Sequence, residues 1–133
     1  MLRPGILGGV LMLGLGAPGL ALADPTLECG LGDVTQVAIG ECLAATETRV
    51  EATVAQALGF AMEAAKALDE TTGRPGAAPA LEAGQAAWTA WRDAQCEYVG
   101  ATYGGGSGAG AAIQACRIEL GRDRTGVLMG FSG

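Results

Sequence analysis

Gln85-Ala-Ala-Trp88-Thr-Ala-Trp91-Arg92-Asp93-Ala-Gln-Cys96 sets Trp88, Arg92 and Cys96 four residues apart, with no proline or glycine between them. Side chains four apart share one face of an α-helix, so this run predicts a helix with a tryptophan, an arginine and a cysteine turned the same way. The helix extends from about Ala80 to Thr102, with a stripe of Leu81, Gly84, Trp88, Trp91 or Arg92, Cys96 and Val99. Gly84, lacking a side chain, is expected to let a neighbouring helix come close.

Glycine density ends this helix: Gly104-Gly105-Gly106-Ser107-Gly108-Ala109-Gly110 reads as a loop. A further helix follows from about Ala111 to Met129, striped by Ile113, Cys116, Leu120, Arg124, Val127 and Phe131. Upstream, Thr71 to Pro79 is a connection, stopped and turned by Gly73 and Pro75. Before it, Thr35 to about Asp69 is rich in Ala, Glu and Leu, and is capped by Asp33 or Thr35. Its stripe is Leu43, Val50, Val54, Leu58, Ala61, Ala65 and Leu68. No strand pattern competes. The expected fold is all-α, an antiparallel three-helix bundle stabilised by two disulfides.

All four cysteines, Cys29, Cys42, Cys96 and Cys116, fall within residues 24–133, and none forms a Cys-x-x-Cys pair suited to zinc or redox chemistry. Three pairings are open to four cysteines. The local one, Cys29 with Cys42 and Cys96 with Cys116, is favoured. Cys96 and Cys116 flank the middle of the glycine loop at similar distances, which puts them at one level of two antiparallel helices. The lead-in carrying Cys29 can fold back onto Cys42.

The N-terminal residues read as a leader. Arg3 is followed by the uncharged apolar run Ile6 to Leu22 and by the small-x-small site Ala21-Leu22-Ala23. Gly14, Gly16, Pro18 and Gly19 interrupt the run, which favours a signal peptide cleaved after residue 23 over a membrane anchor. Thr26-Leu27-Glu28 before Cys29 is no lipidation box, so the helical domain, residues 24–133, is expected in the periplasm or secreted, without a stable membrane anchor. The whole chain carries 8 basic and 14 acidic residues, net −6. Loss of Arg3 leaves seven basic residues against fourteen acidic ones. A nucleic-acid backbone would be repelled, and a cationic protein attracted.

The chain has no histidine, which excludes Ser-His-Asp triads, Cys-His dyads and His-ligated metals. Ser107 therefore has no histidine base, and the glycine loop lacks the Lys and preceding strand of a P-loop. Asp93, Glu97, Glu119 and Asp123 read as solvated helix faces rather than a catalytic carboxylate pair. No catalytic residue, metal site or cofactor site is expected, and the protein is not expected to be an enzyme. Arg92 and Arg124 interrupt apolar stripes and so need carboxylate partners inside the bundle. Glu51 is the first choice and Glu47 the second, giving a structural ion-pair network of Arg92, Arg124 and Glu51. Trp88 belongs to the core, whereas Trp91 is left partly uncovered.

Together these residues resemble the lysozyme inhibitor LprI-like N-terminal domain family of small exported bacterial proteins. The resemblance covers nearly all of residues 24–133. Its most specific part is Gln85, Trp88, Arg92, Asp93 and Cys96 in the spacing Gln-x-x-Trp-x-x-x-Arg-Asp-x-x-Cys. Gly105-Gly106-Ser107 follows, then Cys116, Leu120, Arg124 and Leu128 at steps of four, with Thr35-Gln36 ahead of Cys42 upstream. Two departures stand out: Gly121 where relatives often carry Thr, and Glu51, Val54 and Ala55 in place of an Asp-x-x-Leu-Asn stretch. The resemblance implies inhibition of lysozyme by an acidic domain that docks on a strongly cationic glycosidase. From the residues themselves, exposed Asp and Glu would steer the encounter, and Trp91 or Tyr103 near the glycine loop would be the contact residues. The competing expectation is an envelope structural or assembly adaptor using an apolar face along Phe60, Met62 and Leu68.

Overall fold

A computed structural model describes residues 24–32 and 34–131. The expected leader over residues 1–23 and the alternative cap Asp33 lie outside the described residues. The described chain is helical, without strands: α1 (Pro25–Cys29), α2 (Gln36–Thr72), α3 (Ala77–Ala101) and α4 (Ala109–Met129). The last three are the expected antiparallel bundle, joined by short connections. The five-residue α1 is an addition that no periodicity announces. Asp24 caps it by accepting a hydrogen bond from the Thr26 amide at 2.8 Å, and Pro25 opens its first turn.

Thr35 caps α2, its hydroxyl accepting from the Ala38 amide at 3.1 Å, and Gly73 ends the helix in the left-handed region at φ 63°. At 37 residues, α2 is about 55 Å long at the usual helical rise. The next helix starts earlier than expected, at Ala77, with Pro79 inside its first turn. Proline is tolerated there because first-turn amides have no partner within the helix. Those amides are met from across the connection instead. The Asp69 carboxylate accepts from the backbone N–H groups of Gly76 (3.2 Å), Ala77 (2.9 Å) and Ala78 (3.0 Å). These three bonds hold the carboxyl of Asp69 below its ordinary pKa.

The core has two clusters joined through Val50. One contains Val54, Ala57, Ala61 and Leu128, with Leu81 and Trp88 packed against it. The other contains Cys29, Leu43 and Ile118, with Ile39 and Ala111 against it. The buried face of α4 is Ala112, Ala115, Ile118, Gly121 and Leu128, not the stripe read from its larger apolar residues. Val127 and Phe131 are exposed, as is Leu68 near the end of α2. The physical reason is close helix approach, which selects small residues. A Cβ on Gly121 would collide with the Val50 side chain, and one on Gly100 would stand 2.6 Å from Ile113. Gly84, by contrast, is exposed with nothing near it, so no helix approaches there.

Disulfides join Cys29 to Cys42 and Cys96 to Cys116, with Cα separations of 5.7 and 5.6 Å. The first ties α1 to α2 and the second ties α3 to α4. Arg122 completes the attachment of α1 by a two-pronged bond to Glu28, both contacts 2.8 Å. The Arg122 guanidinium lowers the pKa of the Glu28 carboxyl, and Glu28 in turn raises that of Arg122.

Candidate functional site

The motif residues converge where α2, α3 and α4 meet. Arg92 is 8% exposed. It donates to Glu51 on α2, and through Nε and Nη2 to Asp93 Oδ1 at 3.0 and 2.8 Å. Its guanidinium lies 5.2 Å from the centre of the Trp88 ring, and that of Arg124 lies 5.6 Å from the same ring. Trp88 is thus contacted by two cations while its ring packs against the Val54–Leu128 cluster. Arg124 is not a partner of Glu51: its Nε donates to the Gln85 amide oxygen at 2.9 Å. An amide suffices because Arg124 is half-buried rather than fully desolvated, and because the Trp88 ring also faces its charge. Gln85, Trp88, Arg92 and Arg124 therefore form an interlocked frame.

A third arginine belongs to this site. Arg117 on α4 lies 3.5 Å from Glu47, 3.8 Å from Asp93 and 3.6 Å from Glu97. Its buried Nε has no hydrogen-bond partner among the described residues. Glu47 thus serves Arg117 rather than Arg92. Four carboxylates, Glu47, Glu51, Asp93 and Glu97, here face two guanidiniums. The excess negative charge opens to solvent: Glu51, Asp93 and Glu97 have side-chain exposures of 47, 45 and 65%. Arg117 was readable in the sequence: it stands four residues after Ile113 and seven before Arg124, on the face of the same stripe.

Trp91 is 52% exposed on the outer side of α3, and Tyr98, two turns on, is 65% exposed. Tyr98 was not singled out in the sequence, although a separation of seven puts it on the face of Trp91. Tyr103 is also half-exposed. Its carbonyl accepts from the Gly106 amide at 3.0 Å, and its ring packs on Gly108, where a Cβ would stand 3.1 Å away. Gly104 and Gly105 turn the chain over it with φ of 59° and 83°, a conformation that glycine adopts without cost. Gly105, Gly106 and Ser107 are exposed.

Two hollows flank these elements. One, of about 340 Å³, lies between α3 and α4 and is lined by Asp24, Gln95, Val99, Tyr103, Glu119 and Leu120 among others. Burial raises the pKa of the Glu119 carboxyl, with Asp24 and Asp123 adding repulsion and Arg122 opposing. The other, of about 450 Å³, is apolar and lies at the opposite end, lined by Ala61, Ala65, Leu68, Ala77, Leu81 and Phe131 among others. Phe60 and Leu68 are exposed, but Met62 is half-buried, so the three do not form one uncovered face. Among the described residues no group of three or more His, Cys, Asp or Glu is placed to hold a metal. No described helix is long and apolar enough to cross a membrane.

The arrangement offers charge and aromatic surface on a rigid frame. Neither curated proteins nor solved structures include a match. A protein-family model described as Lysozyme inhibitor LprI matches residues 30–128, which takes in the Arg92–Glu51–Arg117 seam, both tryptophans and the glycine loop. By that match over most of its length, the chain belongs to the lysozyme inhibitor LprI family.

Proposed function

We propose that this protein is exported, loses its leader after residue 23, and binds a cationic lysozyme so as to block it. It is a binding module with no catalysis of its own. The observation that carries this reading is the family match over residues 30–128, joined to the surplus of carboxylates over guanidiniums along the α2–α3 seam. Two disulfides with no free cysteine suit an oxidising compartment, the periplasm or the exterior. A negative field would speed encounter with a positive partner and weaken as salt screens it.

The test is a titration of the oxidised protein against a cationic lysozyme at low and at physiological salt, with residual lysozyme activity read in parallel. Saturable, salt-sensitive binding with loss of activity supports the proposal. No saturable binding at micromolar concentration sinks it. The apolar hollow beside Leu68 and Phe131 favours a second reading, a periplasmic assembly adaptor, whose binding would be indifferent to salt.

A further inference from the structure

An outer helix face of a monomeric protein ordinarily carries charge. The exposed side of α2 does, with Glu41, Arg49, Glu63, Lys66 and Glu70, and so does that of α4, with Glu119 and Asp123. The outer face of α3 carries charge only at its edge. Ala87, Ala90, Trp91, Ala94, Tyr98 and Ala101 recur there at steps of three and four, and every one is exposed. Over four turns this face has one carboxylate, Glu97 at its edge, besides the Tyr98 phenol, and its largest side chains are two exposed aromatics.

Acids border it on both sides. Asp93 and Glu97, with Glu47 and Glu51 from α2, stand along one edge. Asp24 and Glu119 stand around the hollow on the other. An uncharged centre with aromatic anchors and a polar rim is the anatomy of a protein–protein contact. A rim of one sign selects a partner of the other sign.

We propose that the outer face of α3, centred on Ala94 between Trp91 and Tyr98, is the surface that docks on the lysozyme, with the acidic borders meeting its lysines and arginines. This rests on the reading that the partner is a cationic lysozyme. The alanines let the partner's backbone approach closely, while Trp91 and Tyr98 supply rigid contact area at low entropic cost. Because Arg92 and Cys96 lock the inner side of the same helix, the outer face is presented without rearrangement.

The test compares the wild-type protein with Ala94→Lys, Trp91→Ala, Tyr98→Ala and a control, Ala67→Lys, which makes the same charge change on exposed α2. Lysine is a good helix former at an exposed site, so Ala94→Lys is expected to fold as wild type by circular dichroism and thermal melting. Ala94→Lys, Trp91→Ala and Tyr98→Ala should each weaken lysozyme binding about tenfold or more, and the control by less than about twofold. If wild type binds and Ala94→Lys binds as tightly as Ala67→Lys, the face is wrong while the lysozyme reading stands. If wild type does not bind lysozyme, the reading falls and takes the face with it.

Discussion

The two ends of the bundle are held by different means. At one end the start of α2, the end of α3 and the start of α4 come together, and both disulfides lie there. Arg122 adds its two-pronged bond to Glu28 to fix α1. At the other end, α2 runs into α3 past an alanine-lined hollow, and the connection is held by the Asp69 carboxylate on three backbone amides. One end is closed covalently; the other rests on hydrogen bonds open to water and on small apolar contacts. Local opening is therefore expected to begin at the α2–α3 connection. The exposed aromatics Trp91, Tyr98 and Tyr103 and the acidic seam, the surface proposed to bind, lie toward the closed end.

The largest expected effect comes from opening the closed end. Replacing Cys96 and Cys116 together by alanine should cost about 3 kcal/mol in denaturant unfolding, because the unfolded chain regains the freedom of that loop. An unchanged midpoint would mean that packing alone holds α3 to α4. Next comes the border between the two core clusters. Gly121→Ala should cost about 2 kcal/mol by forcing a methyl into Val50. Adding Val50→Ala to it should then cost less than the two changes summed, a coupling that a double-mutant cycle measures.

Arg92→Met should cost about 1–2 kcal/mol, less than the loss of a fully buried partner, because Glu51 and Asp93 are half-exposed and recover water. The smallest global effect belongs to Asp69, and its signature is local. Its folded-state pKa is lowered from an ordinary 3.8. Its contribution is therefore complete above that value and is lost as pH falls through the depressed one. Hydrogen exchange at Ala77 and Ala78 should quicken on acidification in wild type, once intrinsic rates are corrected, and lose that pH dependence in Asp69→Asn. Glu119 acts with the opposite sign: its pKa is raised from 4.5, so protonation on acidification relieves burial and repulsion near α4.

The three long helices were legible from periodicity, and the frame of Gln85, Trp88, Arg92 and Cys96 from its spacing. The buried face of α4 was not, because alanine and glycine give a weak apolar signal beside Val127 and Phe131, and only contact with Val50 reveals which side is inside. Five residues are too few for a period, so α1 was invisible; its stability comes from Cys42 and Arg122. The partners of Arg117 and Arg124 depend on helix rotation, which charge counting along one dimension does not contain.

By itself the sequence determined that the chain is helical, cysteine-linked, acidic and without histidine chemistry, since these follow from local propensity, period and composition. Only the tertiary structure decided which side of α3 stays bare, which carboxylates gather at its edge, and that Asp69 caps a helix it does not belong to. Those are outcomes of how rigid helices rotate and approach one another, and they are set by packing across the bundle rather than by neighbours along the chain.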